Sequence, residues 1–286
     1  MEKKKVLLTF DVEGKAPKED IFDAPSHASL RLVLDLLEEK CLKGIFFLPA
    51  SVAKHIGRHP DLVDKLSEHR IGYHGSSHSV KPRIIEYVDV PNYEKALQMS
   101  LHRETSQINL ETGGIEGEGG ILALREIFPR RQIECFRAPF LVWSPPHLEA
   151  LRNLGVNYDF SSSVACLHFP VSFKGITFYP SPVHVDDLDA MFFYREDRYS
   201  SPKLIERLLL RSAFSVLNMH PSSLTKNTLG IRTKIATSLL HLLFDRIRFL
   251  QKCGLIEVTT SLNQDCQALR LDKVNIKKIY WQSVRN

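Results

Sequence analysis

The sequence lacks any apolar run near the ~18 residues of a membrane span. Its first hydrophobic stretch, Val6-Leu7-Leu8-Thr9-Phe10, stops at Asp11. A lysine run precedes it, but the stretch is too short for the apolar part of a secretory signal. A cytoplasmic protein is therefore expected. Cysteine is sparse: Cys41, Cys135, Cys166, Cys253 and Cys266 are odd in number, widely spaced and never arranged as CxxC. Reduced thiols are the expectation, not a disulfide framework. Clustered basic charge is also missing. Lys3-Lys4-Lys5 and Arg130-Arg131 are short clusters in a chain of net charge +5. Nucleic-acid binding needs a patch or stripe, whereas mild positive charge suits an anionic substrate or an anionic membrane surface. No internal repeat or low-complexity segment interrupts the chain.

What is present is enough to build a large core, since 43% of the 286 residues are hydrophobic. Their periodicity predicts alternating strands and helices. Residues 5–10 read as a buried strand that ends in Asp11-Val12-Glu13-Gly14, with a charged loop over 15–26. Leu30, Val33, Leu34, Leu37 and Cys41 fall at helical spacing, with Gly44 as a stop. Strands are expected over 45–48 and 71–74, separated by helix over 51–69 with a boundary near His59-Pro60. Residues 92–109 read as helix, and Ser144-Pro145-Pro146 opens another, with Ser144 as N-cap. Further strands are expected over 132–136, 156–160, 176–183, 214–219 and 255–260, and helices over 202–211 and 231–253. Such β-α-β-α-β alternation predicts an α/β fold with a parallel sheet or barrel and helices outside. Residues 1–264 form one domain in this reading, and 265–286 are a polar tail.

In folds of this kind, functional residues gather at the C-terminal ends of the strands. Asp11, Glu13, His74 and His78 all fall at that edge. The histidines stand four apart in His74-Gly75-Ser76-Ser77-His78, a spacing that puts two side chains on one side of a helical turn. Two neutral imidazoles so held can bind one divalent transition metal. The glycine-rich run from Thr112 to Gly120 does not read as a phosphate cradle. It follows a helix and not a strand, and it carries Glu111, Glu116 and Glu118. A flexible loop bordering the site is expected instead.

Four motifs occur in the order found in the polysaccharide deacetylase family, the family-four carbohydrate esterases. They are Thr9-Phe10-Asp11, the paired histidines, Phe136-Arg137-Ala138-Pro139-Phe140 and Leu217-Asn218-Met219-His220. The resemblance spans residues 5 to 260. It implies a distorted (β/α) barrel of about seven strands with one divalent metal, most often zinc. It further implies a metal-holding carboxylate with His74 and His78, an aspartate base steadied by Arg137, His220 as acid, and Pro139 and Phe140 at the substrate. Asp11 is taken as base and Glu13 as ligand, with the reverse left open, because the family's usual pair of adjacent aspartates is here Asp11-Val12-Glu13. Alternate residues of an extended segment point the same way, which would let both face the metal. The family's Asp-x-x-Trp motif is missing. Asp186-Asp187-Leu188-Asp189 stands in its place, with Asp187 the first choice for tuning His220 and Asp159 the second.

The residue types make chemical sense without the family. Amide hydrolysis needs an activated water, stabilisation of an oxyanion and a proton for the departing amine. What the resemblance implies is therefore a metal-dependent sugar N-deacylase, expected to serve surface-polysaccharide or glycolipid synthesis. Its substrate is expected to be a small nucleotide- or lipid-linked conjugate, without nucleic acid. Contact with a membrane surface through residues 231–253 is a further expectation: Ala236, Leu239, Leu240, Leu243, Ile247 and Leu250 form one stripe, and Leu242, Phe244 and Phe249 lie off it. The rivals are a cyclic-amide hydrolase of the same family and a sugar-binding module without turnover.

Overall fold

The computed structural model describes residues 3–14, 22–78, 90, 92–109, 114–141, 143–161, 170–173, 175–180, 183–185, 206, 209–210, 213–224 and 231–262. Asp187 with its acidic neighbours, most of the helix expected over 202–211 and the tail from 265 lie outside them.

The chain begins with β1 (Lys4–Asp11), α1 (Ala24–Glu39), β2 (Ile45–Leu48), α2 (Ala50–Ile56), α3 (Pro60–Ser67) and β3 (Arg70–Tyr73). Next come α4 (Tyr93–Glu104), the hairpin of β4 (Ser106–Ile108) and β5 (Ile115–Glu118), α5 (Ile121–Ile127), β6 (Cys135–Phe136), α6 (Pro145–Asn153) and β7 (Tyr158–Asp159). The remainder adds β8 (Val171–Phe173), β9 (Ile176–Phe178), β10 (Val183–His184), β11 (Phe214–Met219), α7 (Ile231–Lys252) and β12 (Ile256–Val258). Ten strands form one sheet, ordered β10-β11-β1-β2-β3-β6-β7-β9-β8, with β12 paired to β1 off that path. All pairings are parallel except β8 with β9. The sheet curls into a half-barrel, the distorted (β/α) barrel expected. The eight individual strands expected become ten because 176–183 splits into β9 and β10 and because β8 was not foreseen.

β1 explains why the sheet curls around it. Val6, Leu7, Leu8 and Phe10 are all fully buried, as a strand covered on both faces requires. Phe10 stacks on Phe46 of β2 at 4.6 Å between centroids, a pair whose truncation to alanine costs about 3–5 kcal/mol per aromatic. Around this sheet, α1 begins where Asp23 accepts hydrogen bonds from Ser26 N at 3.0 Å and Ser26 Oγ at 2.7 Å, a side-chain N-cap. Ser144 occupies the N-cap of α6, but its hydroxyl makes no capping bond. Pro145 and Pro146 follow it and supply no N–H for a cap to receive.

Two further expectations change. The glycine-rich run is not a loop throughout, because Ile115–Glu118 pairs antiparallel with Ser106–Ile108. The helix expected over 92–109 stops at Glu104 for the same reason: Ser106 to Ile108 are claimed by that hairpin. In α7, Phe244 is fully buried and belongs to the core, while Leu242 and Phe249 are half exposed. At ~100° per residue the buried positions of α7 span an arc of about 120° that includes Phe244 at its edge.

Candidate active site

Four parallel strands end on one rim, and each delivers a polar group there. Asp11 closes β1, His74 follows β3, Arg137 follows β6 and His220 follows β11. Glu13 arrives differently from the expectation. Its N–H donates to the Asp11 carbonyl at 3.1 Å, a three-residue turn that takes residues 12–14 off the strand. Likewise 74–78 is not helical. Gly75 has φ +82, the left-handed region in which a Cβ is strained. The turn hangs instead on α2, where Ala50 N donates to Gly75 O at 3.0 Å and Ser51 N to Ser76 O at 3.3 Å.

The turn brings three donors together. Glu13 Oε1 lies 3.3 Å from His74 Nε2 and 3.0 Å from His78 Nε2. All three residues are buried. His74 Nδ1 lies 2.7 Å from the Arg137 carbonyl, a bond that fixes the proton on Nδ1 and leaves Nε2 as a lone pair. That lone pair then faces a carboxylate oxygen. Two acceptors in that position repel unless a proton or a cation lies between them. A tetrahedral ion with bonds of ~2.0–2.2 Å sets its donors ~3.3–3.6 Å apart; the 3.3 Å separation meets that and the 3.0 Å one is slightly shorter. With protons between the acceptors, burial acts to raise the Glu13 pKa, but the bonds and charges of His74 and His78 outweigh it and drive the pKa far below the ordinary carboxylate range. The donor set of two imidazoles and a carboxylate therefore fits a borderline divalent ion.

Beside this trio lies a second, denser knot. Arg137 is fully buried and uses each arm of its guanidinium. Nη1 donates to Asp11 Oδ1 and Asn218 Oδ1, both at 2.6 Å; Nη2 donates to Thr9 Oγ1 at 3.0 Å; Nε donates to Phe160 O at 3.2 Å. Its face lies 4.4 Å from the Phe47 ring centroid. Asn218 Nδ2 donates to the other Asp11 oxygen at 2.8 Å. Burial acts to raise the Asp11 pKa, yet the charges of Arg137, His74 and His220 outweigh it and hold the group ionised below its usual value. His220 Nε2 stands 3.7 Å from Asp11 Oδ2 and 3.9 Å from Glu13 Oε1, and its side chain is 25% exposed.

Asp159 does not pair with His220 through any described bond. Its two oxygens accept from Ser161 N at 2.9 Å and Ser161 Oγ at 3.0 Å, and Ala138 N donates to Ser161 Oγ at 2.7 Å. Burial pushes the Asp159 pKa up to about 7, against those bonds and the charge of Arg137. Asp187 lies outside the described residues. Pro139 packs against the turn at Gly75. Phe140 is 54% exposed with its ring 4.5 Å from His78, and both Phe140 and Leu141 have positive φ. Non-glycine residues in that region cost of order 1–3 kcal/mol each and cluster at ligand sites.

Asn218 and Thr9 went unassigned in the sequence reading although both stand inside quoted motifs. The available signal was position: each precedes a rim residue by two on its strand, and alternate strand residues share a face.

A family model described as polysaccharide deacetylase matches residues 1–158. No curated protein matches the chain. Among solved structures, a 4-alpha-glucanotransferase from Thermococcus litoralis superposes with TM-score 0.59 at 16% identity, covering 91% of this chain. The chain spans only 40% of that enzyme. A putative polysaccharide deacetylase from Mycobacterium smegmatis gives TM-score 0.52 at 16% identity, covering 93% of this chain and 96% of that one. A CE4 esterase from Streptococcus mutans gives TM-score 0.51 at 15% identity, with 90% and 84% coverage. At such identities the likeness is one of fold.

Proposed function

The chain belongs to the polysaccharide deacetylase family, and from that premise we propose that it is a metal-dependent hydrolase removing an N-acetyl or similar N-acyl group from a sugar. The observation that carries the reading is the approach of Glu13 Oε1 to both histidine Nε2 atoms within 3.3 Å, beside the Asp11–Arg137 pair. Glu13, His74 and His78 hold the ion, zinc being the expected one. A divalent ion there supplies a Lewis acid that polarises the acyl oxygen and lowers the pKa of a water toward ~7.

The chain's own groups do the rest. Asp11 is oriented by Arg137 and Asn218, one on each oxygen, and takes the proton from the attacking water. Those contacts also hold Asp11 ionised and ready to accept a proton. His220 stands on the open side of the rim and gives its proton to the departing amine, since an amine leaves poorly as an anion. Phe140 offers an exposed ring beside His78 on which the apolar face of a sugar can rest.

The finer reading is a phosphate-bearing conjugate, nucleotide- or lipid-linked, of surface-polysaccharide or glycolipid synthesis in the cytoplasm. A net charge of +5 favours such an anion. Cys41, Cys135 and Cys253 are free thiols, which suits a reducing compartment. Among the described residues no helix is long and apolar enough to cross a membrane. Half-exposed Leu242 and Phe249 on the outer side of α7 support contact with a lipid surface.

Metal analysis of the purified protein, paired with turnover on N-acylated nucleotide sugars, lipid-linked sugars, chitin and peptidoglycan, tests the proposal. Stoichiometric metal and fastest turnover on the small conjugates are expected. Stoichiometric metal persisting in a His74→Ala, His78→Ala double variant would remove the site, and faster turnover on long polymers would remove the substrate class.

A further inference from the structure

The turn that carries His78 back to His74 is not held by helical hydrogen bonds, and α2 grips only its carbonyls. Its inner side rests on a buried polar chain outside the rim. Tyr73 OH donates to Glu104 Oε2 at 2.5 Å and lies 2.9 Å from Ser76 Oγ. Ser76 Oγ donates to the Arg103 carbonyl at 2.6 Å and stands 3.4 Å from Glu104 Oε2. On its other oxygen, Glu104 accepts from His147 Nε2 of α6 at 3.1 Å, with Arg103 Nε at 3.8 Å. Tyr73, Ser76, Arg103, Glu104 and His147 are all buried. Gly120, at φ +56, closes over the chain: a Cβ there would collide with the Glu104 carbonyl and come within 2.9 Å of Ser76 Oγ.

A carboxylate fully out of water is costly unless every lone pair is met. Burial acts to raise the Glu104 pKa, but Arg103, His147 and Tyr73 hold it at about 2. The group is therefore a fixed anion that orders two donors, the Tyr73 hydroxyl and His147 Nε2, with Ser76 Oγ beside it. Two of the residues it reaches flank His74 in sequence: Tyr73 closes β3 just before it, and Ser76 belongs to the turn itself.

We propose that Glu104 is a positioning residue for the histidine pair, setting the turn through Tyr73 and Ser76 so that His74 Nε2 and His78 Nε2 converge on Glu13. This rests on the metal-dependent reading above. Outer groups that orient metal ligands are worth ~10–100-fold in metal affinity, and Glu104 acts at one remove through the backbone that carries the ligands.

Cobalt(II) serves as the probe, because its visible absorption reports coordination geometry as well as occupancy. Affinity is measured by competition with a chelating dye, well below each variant's melting temperature. Glu104→Ala is expected to weaken cobalt binding about 10–100-fold and to alter the absorption bands of the loaded protein. Tyr73→Phe, which deletes one hydroxyl, should weaken binding several-fold in the same direction. Glu104→Gln restores both readouts, since an amide can accept from one neighbour and donate to the other. A purely structural role would lower the melting temperature and leave affinity and spectrum of the folded protein unchanged. That result in Glu104→Ala, or in Tyr73→Phe should the alanine variant not fold, overturns the inference. A wild-type protein that binds no cobalt overturns the metal reading together with it, whereas wild-type binding with unaltered variants overturns this inference alone.

Discussion

Two arginine–carboxylate pairs with the same shortest separation sit in opposite surroundings, the inner joined by one bond and the outer by two. Arg137 meets Asp11 at 2.6 Å with side chains 0% and 5% exposed. Arg246 meets Glu206 at 2.6 Å with side chains 40% and 21% exposed, and its guanidinium also lies over Phe249. Water can serve the spare donors of the outer pair. The inner pair has none to call on, and the fold supplies Asn218, Thr9 and the Phe160 carbonyl in its place. Distance alone does not rank such pairs: burial makes one a structural commitment and leaves the other a surface contact.

The comparison breaks most sharply at the inner carboxylate. Asp11→Asn keeps the side chain's shape and should lower turnover by ~10²–10⁴, the range for loss of a general base, in steady-state assays with metal content unchanged. If Asp11→Asn empties the metal site while Glu13→Gln does not, the roles of the two carboxylates are exchanged. Next in size is Arg137→Met. It strands a buried carboxylate and should cost about 3–5 kcal/mol in urea unfolding; a loss no greater than that of an outer variant would erase the distinction drawn here.

Titration sharpens the point with two equally buried carboxyls. Asp159 is raised from 3.8 to about 7. Its stabilising contribution is complete below ~4 and lost as pH rises through ~7. Glu104 is lowered from 4.5 to about 2. Its contribution is complete above ~4.5 and lost as pH falls through ~2. Asp159→Asn should therefore gain stability relative to wild type between pH ~4 and ~7, and Glu104→Gln should gain below ~4.5. Denaturant midpoints across that range check both signs. The smallest effect belongs to the outer pair: Arg246→Gln should leave the unfolding midpoint unchanged within error at physiological salt.

The strand–helix alternation was legible because buried parallel strands are short apolar runs, as in Ile45–Leu48, and because Pro49, Pro60 and Gly44 punctuate them. The rim residues were legible for the same reason, since a polar residue closing such a run has one edge to occupy. The His74–His78 spacing led to a pair that the fold does bring together, at Glu13, but by another route. A helical turn was inferred, but Gly75 permits a turn of another shape that α2 completes. Glu104 and His147 were invisible, because a lone acid and a lone histidine on amphipathic helices look like solvent-facing groups until the helices pack. The hairpin of β4 and β5 was hidden for a related reason: β5 lies inside the glycine-rich segment, and no local periodicity reports it.

β1 pairs with β11 along one side and, on the other, with β12 at its start and β2 at its end; β11 and β12 come more than 200 residues later, as in the register Thr9 to Asn218. During synthesis this separates events that the finished protein shows together. Glu13, His74 and His78 lie on or beside three adjacent strands, β1, β2 and β3, and all emerge before residue 79. Asn218 and His220 follow much later. At ~5–20 residues per second, the gap between His78 and His220 is on the order of ten seconds. In that interval the chain carries the three residues proposed to hold the ion but neither the asparagine that clamps Asp11 nor the proposed proton donor. The Arg137 carbonyl that orients His74 and the Glu104 beneath the turn also come later than residue 79, so the donors of the site are made early and its geometry late.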